Sequence, residues 1–176
     1  MLLLVFGKIL VFGIACMIFW LIDGYKKVAQ AANPYLPLWE HIPDGEPRVF
    51  EDPDNPGKFR AYIYGSHDTK RDSYCGYDIP VWSAPVEDLT AWRYDGIGFQ
   101  SIVNGVADIL FAPDVVEVLE SDGTKIYYMY PNNQAHGRNS QVAKSKRPDG
   151  PFEVCNWKEG STTELKVFWG LTQLFL

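Results

Sequence analysis

No block of lysine or arginine stands anywhere in these 176 residues. The 16 basic side chains are scattered among 22 acidic ones, for a net charge of −6. A stripe that could track a phosphate backbone is missing, so no nucleic acid is expected as a partner. The mildly acidic balance speaks only to solubility. Cysteine is scarce as well: Cys16 lies in an apolar leader, and Cys75 and Cys155 have neither zinc nor redox spacing. A disulfide between those two stays open, with two buried free thiols as the expectation. His41 and His136 show no metal-ligand spacing with Asp, Glu or Cys. After residue 33 there is no amphipathic helical pattern.

What the chain has in quantity is aromatic residues, 15% of the total, with 10 Tyr, 10 Phe and 6 Trp. Such side chains pack well on a pleated surface and can also stack on sugar rings; packing is the default reading. Residues 1–22 are apolar but for Lys8, and residues 9–22 are uninterrupted. That run has the length of a signal-peptide core, and Ala29-Gln30-Ala31 offers a cleavage pattern. Lys26 and Lys27 just before it, and a first turn without positive charge, oppose that reading. Three readings of the leader (residues 1–32) stay open: a signal peptide, a short membrane-anchoring apolar helix over residues 1–22, or a segment not native to the domain. The first two place the protein outside the cell or on a membrane; the third leaves it in the cytoplasm.

From Asn33 the composition changes. Pro34, Pro37, Pro43 and Pro47 exclude helix there. Strands are expected at residues 48–50, at 59–66 (FRAYIYGS) after a dense turn, and at 78–84 (DIPVWSA), with 92–96 as a partner. Further strands are expected at 110–119 (LFAPDVVEVL), broken by Pro113, and at 125–130 (KIYYMY) across the Asp122-Gly123 hairpin signal. Residues 140–145 and 152–157 are the last. A weak repeat of about sixty residues runs through this pattern. A Tyr-rich strand (Tyr62-Ile63-Tyr64, then Tyr127 to Tyr130) precedes a Ser-ending strand (Val81-Trp82-Ser83, then Val142 to Ser145), and a Trp follows (Trp92, then Trp157). Many short strands with Gly/Pro/Asp turns indicate an all-β sandwich, barrel or propeller.

Five segments in order carry a family resemblance. They are Asn33-Pro34-Tyr35-Leu36-Pro37 with Pro43 to Phe50 (PDGEPRVF); Tyr64-Gly65-Ser66-His67-Asp68; Val81 to Leu89 (VWSAPVEDL) with Trp92; Phe111-Ala112-Pro113-Asp114-Val115; and Ala143-Lys144-Ser145 running to Pro148-Asp149-Gly150-Pro151-Phe152. Together they resemble glycoside hydrolase family 43, the β-xylosidases and α-L-arabinofuranosidases, over roughly residues 33–160. The resemblance implies a five-bladed β-propeller, of which residues 33–164 would supply about two to three blades. It also implies inverting hydrolysis of xylose- or arabinose-containing oligosaccharides and polysaccharides by three carboxyl groups. No cofactor is implied; some members hold a structural calcium, and the central histidine that binds metal in some members lies downstream, with no match here.

An inverting glycosidase needs a carboxylate to activate water and a protonated carboxyl to protonate the leaving oxygen. Read from its neighbours alone, Asp44-Gly45 is a turn dipeptide; the resemblance gives Asp44 the role of general base. Asp114, set among Leu110 to Pro113 and Val115-Val116, is a carboxylate that burial would penalise without a purpose. The resemblance makes it the aspartate that tunes the acid; a strand-edge residue beside a proline is the structural alternative. The general-acid glutamate has no match, since Glu153, Glu159 and Glu164 come too early. Trp39 and His67 are candidate substrate contacts, with core packing and a hydrogen-bonded structural role as their alternatives; Trp82, Trp92 and Trp157 read as core.

The resemblance stops after Thr163. The tail, residues 165–176, is apolar and without a cap. An incomplete ring would leave open sheet edges, so a truncated, unstable chain without hydrolase activity is expected. Two other readings remain: a non-catalytic, membrane-tethered carbohydrate-binding β-domain, and an anchored structural β-domain unrelated to sugars.

Overall fold

The computed structural model describes residues 35–69, 75–134 and 141–166. The chain divides into two compact units between Gln30 and Ala31, and every described residue belongs to the second. The apolar leader with its expected helix, His136, and the tail from residue 167 onward lie outside the described residues. Among the described residues there is no helix, and so none long and apolar enough to cross a membrane.

The all-β expectation holds. Strands β1 (Glu46–Glu51), β2 (Phe59–Tyr64), β3 (Asp78–Pro85) and β4 (Arg93–Gln100) form one antiparallel sheet in chain order. A small hairpin follows, β5 (Ile102–Val103) with β6 (Val106–Ala107). Strands β7 (Asp114–Leu119), β8 (Lys125–Tyr130), β9 (Ala143–Ser145) and β10 (Glu153–Val154) form a second sheet, again a meander. The sequence repeat corresponds to these two sheets. Its Tyr-rich members are the second strands β2 and β8, and its Ser-bearing members are the third strands β3 and β9.

Turn chemistry explains the hairpins. Buried Asp52 organises the β1–β2 turn: its carboxylate accepts from the Asp54 N–H (2.9 Å) and from Asn55 Nδ2 (3.0 Å). The β5–β6 turn is Asn104-Gly105, both with positive φ (53° and 75°). That is the mirror-image turn whose twist matches paired strands. This hairpin was not expected from the sequence, although Val103-Asn104-Gly105-Val106 carries the strongest short-range signal for one.

Several strand boundaries differ from expectation, three of them for readable reasons or by several residues. The strand foreseen over residues 110–119 begins only at Asp114, because Pro113 has no N–H to enter a ladder. Leu110, fully buried, instead makes isolated bridges to Gly76 and Asn133. β4 runs on to Gln100, with register shifts against β3 at Ile79/Pro80 and Val81/Trp82. The last strand shrinks to Glu153–Val154. The cysteines are free as expected but not buried: Cys75 is half-buried and Cys155 exposed.

One core lies between the sheets. Phe50, Tyr62, Tyr64, Val81 and Phe99 of the first pack with Val115, Tyr127, Met129 and Ala143 of the second and with Phe152. Phe50 and Tyr127 meet edge to face at 5.1 Å, and Tyr64 and Phe152 at 6.3 Å. Each such side chain removed from water contributes about 1.5–3 kcal/mol. Polar ties close the edges. Tyr64 Oη donates to the Pro148 carbonyl (2.6 Å), the Phe152 N–H donates to the Gly98 carbonyl (2.8 Å), and Arg147 bridges Asp54 and Asp149.

The outer face of the first sheet is covered too, which is why β3 is buried along nearly its whole length. Residues 35–45 lie against it. Tyr35 sits 5.5 Å from Trp92, and Trp39 6.2 Å from Trp82. Gly65 is needed here: a Cβ on it would stand 2.2 Å from Ile42 Cγ2 and 3.0 Å from the Pro43 carbonyl oxygen.

Candidate functional site

The covering segment delivers Asp44 to the start of β1. Pro43 and Asp44 form a turn, and Asp44 takes φ of 55°, a left-handed conformation that aspartate tolerates better than most residues. Ser66 Oγ donates to the Pro43 carbonyl (3.2 Å) and the Asp68 N–H to the His41 carbonyl (3.0 Å), fixing the segment on both sides of Ile42. The Asp44 side chain is exposed, and its charge reaches Cys75. Burial first, then the Asp68 and Asp44 carboxylates, push the Cys75 thiol up from its usual range. Asp44 thus sits in a turn, with its carboxylate open to solvent.

Asp114 opens β7, and β7 is in contact with β1. It is not the buried carboxylate that its apolar neighbours imply, because its side chain is 47% exposed. Arg48 of β1 holds it. Nε donates to Oδ1 (2.9 Å), and Nη2 lies 2.7 Å from both Oδ1 and Oδ2. The Val115 N–H also donates to Oδ1 (2.7 Å). Glu46 Oε1 stands 3.3 Å from the same Nη2. Strand alternation puts Glu46 and Arg48 on the face of β1 that carries Phe50 into the core, so both lie on the side turned to the second sheet. Hydrogen bonding to Asp114, set against some loss of hydration, raises the Arg48 guanidinium above its usual value. The structure thus joins Asp114, Arg48 and Glu46, with Asp44 two residues before Glu46.

Sequence reasoning missed both Arg48 and Glu46 as site residues: Arg48 was read as the start of a strand, and Glu46 only as part of the Pro43 to Phe50 segment. A charged pair two residues apart, on the face of a strand that goes on to bury Phe50, was the available signal.

His67 and Trp39 belong to a second group, on the covered face. His67 Nδ1 lies 2.5 Å from Asp78 Oδ1, and Nε2 3.4 Å from Glu40 Oε1. The Glu40 side chain is only 3% exposed, and its Oε2 accepts from Trp82 Nε1 (2.8 Å). Both ring nitrogens of His67 face carboxylates, an arrangement that locks residues 40–41 to the start of β3. Trp82 is buried, as expected, and Trp92 and Trp157 are half-buried. Trp39 is 70% exposed, so it is not the core residue of the packing alternative. Among the described residues, no three His, Cys, Asp or Glu side chains group as metal ligands.

No family model matches the chain. A curated relative from Thermoclostridium stercorarium, named xylosidase/arabinosidase, is 44% identical over 106 residues, covering 57% of this chain. The chain spans 20% of that relative's length. A solved β-xylosidase structure is similar over 66% of this chain and 36% of its own, at 20% identity and a TM-score of 0.42. The family resemblance read from the five segments agrees with the name of the curated relative.

Proposed function

We propose that this chain supplies the first two blades of a glycoside hydrolase propeller acting on xylose- or arabinose-containing oligosaccharides. The observation that carries the proposal is the 44% identity to a xylosidase/arabinosidase over 106 residues. Two geometric facts support it: the sheets are four-stranded meanders, and β1 and β7 bring Asp114 to the strand that Asp44 leads into.

In this reading hydrolysis inverts the anomeric centre. Asp44, solvent-open on its turn, accepts a proton from the attacking water. Asp114 stays charged against Arg48 and favours the protonated form of the acid. The acid comes from outside the stretch that matches the family, so the 176-residue chain by itself binds pentosides without hydrolysing them.

The test is a chimera in which this chain replaces its counterpart in the curated relative, assayed on aryl β-xyloside and aryl α-arabinofuranoside. Turnover is expected in the chimera. Asp44→Asn should lower it by roughly 10²–10⁴-fold, the usual contribution of a general base, with sugar affinity retained. A chimera that binds sugar, and whose turnover ignores Asp44→Asn, would remove Asp44 from the mechanism. Turnover by the isolated chain would overturn its proposed inactivity. Binding by a chimera that never turns over would favour a non-catalytic carbohydrate-binding module.

A further inference from the structure

Arg48 is placed and occupied unlike the other described arginines. Arg60 is buried and spends its guanidinium on Ser83 and Asp52. Arg147 spends both ends on Asp54 and Asp149, and Arg93 turns to Asp95 on its own strand. Arg48 uses one edge only. Nε and Nη2 are taken by Asp114 and Glu46, while Nη1 has no partner among the described residues. Its side chain is 38% exposed. Asp114 is similarly half spent. Oδ1 accepts three donors, from Nε, Nη2 and the Val115 N–H, whereas Oδ2 accepts Nη2 alone. On Glu46, Oε2 has no partner among the described residues.

The group therefore presents two N–H donors between two carboxylates with unused lone pairs, all half-open to solvent and all held in place. Tyr130 completes it. This half-buried residue pairs directly with Asp114 in the β7–β8 ladder, a position that brings the two side chains within about 5 Å. Its phenol is raised by burial first and then by the charges of Cys155 and Asp114. An aromatic ring beside a fixed donor–acceptor array matches a sugar, whose C–H face packs on the ring and whose neighbouring hydroxyls each donate and accept.

We propose that Arg48, flanked by Glu46 and Asp114 and backed by Tyr130, is a sugar-contacting residue that binds a pair of adjacent hydroxyls on a neutral pentose. The proposal rests on the glycosidase reading and adds to it a specificity-determining residue. A lysine cannot replace the guanidinium here, because an ammonium cannot hold Asp114 bidentately and still aim a second edge at the ligand.

The test uses the full 176-residue chain, ¹⁵N-labelled and titrated with xylobiose and with arabinobiose. Two side-chain signals are followed: Arg48 Nε–H and the Trp39 indole N–H. The expected result is a saturable shift of the Arg48 signal, with binding weakened about tenfold or more in Arg48→Lys, the loss expected when a charged hydrogen bond goes. Arg48→Met should abolish it. Unchanged backbone dispersion in Arg48→Lys separates this from unfolding, and the wild-type shift stands even if Arg48→Met does not fold. If sugar moves the Trp39 signal, leaves Arg48 still, and binds Arg48→Lys as well as wild type, the present inference is overturned and the glycosidase reading survives. If neither sugar moves any signal, the present inference is overturned, and the glycosidase reading is decided by turnover of the chimera.

Discussion

Arg48 of β1 and Asp114 of β7 form a bidentate ion pair, with Nη2 2.7 Å from each carboxylate oxygen, and so tie the first strand of one sheet to the first strand of the other. Bidentate geometry favours a real contribution, while half-exposure and screening limit it. A double-mutant cycle with Arg48→Met and Asp114→Asn, followed by urea unfolding, should give a coupling of about 0.5–1 kcal/mol. The coupling should shrink in high salt. No measurable coupling at low salt would mean that the pair is absent in solution.

Tyr62 and Tyr64 are stacked neighbours, both fully buried, with opposite hydroxyl fates. The Tyr64 hydroxyl reaches the Pro148 carbonyl at 2.6 Å, whereas the Tyr62 hydroxyl is buried with no partner. Tyr64→Phe should therefore cost about 1–2 kcal/mol by leaving a buried carbonyl unmet. Tyr62→Phe should be neutral or stabilising. Thermal midpoints of the two variants decide it, and the reverse order would refute the assignment.

Cys75 reports on Asp44. Its thiol is held up by burial and by the Asp68 and Asp44 carboxylates. With Cys16 and Cys155 replaced by Ser, Asp44→Asn should speed Cys75 modification by a disulfide reagent roughly twofold near pH 8, because the thiolate fraction rises. An unchanged rate would place the Asp44 charge elsewhere.

Asp52 is one carboxyl through which the first sheet senses acid. Burial by itself would raise its carboxyl, but hydrogen bonds from the Asp54 N–H and Asn55, with the Arg60 charge, hold it below the free value of 3.8. A carboxyl lowered by folding binds fewer protons in the native state than in the unfolded chain. Its stabilisation is therefore complete above pH 3.8 and is lost as pH falls through the folded value. Denaturation midpoints should drop below that pH, and Asp52→Asn should flatten the drop. An equally steep loss in the variant would assign the acid response to other groups.

Much of the strand order was legible in the sequence. Tyr/Ile alternation at β2 and β8, and turn residues at 52–57 and 122–123, act locally, so a strand and its hairpin partner can be read without knowing the rest. The internal repeat gave the two-sheet arrangement, because both second strands carry tyrosines that meet in one core. The five segments were enough to pick out Asp44 and Asp114. Arg48 was not legible as a site residue. Its meaning depends on a contact across 66 positions of chain, and no local pattern encodes which carboxylate a half-exposed arginine will meet.

The sequence by itself therefore determined the all-β character and the order of the hairpins, since each follows from side-chain periodicity or turn chemistry within a few residues; the candidate carboxylates came from the resemblance of five segments to a known family. Only the tertiary structure decided the environments. Packing of two sheets through one aromatic core brought β1 against β7 and left Asp114 half-exposed against Arg48 instead of buried. Laying residues 35–45 over the first sheet enclosed Glu40 and Trp82, set His67 between two carboxylates, and left Trp39 open. Burial and pairing are properties of surfaces that meet, and those meetings are settled by the whole fold.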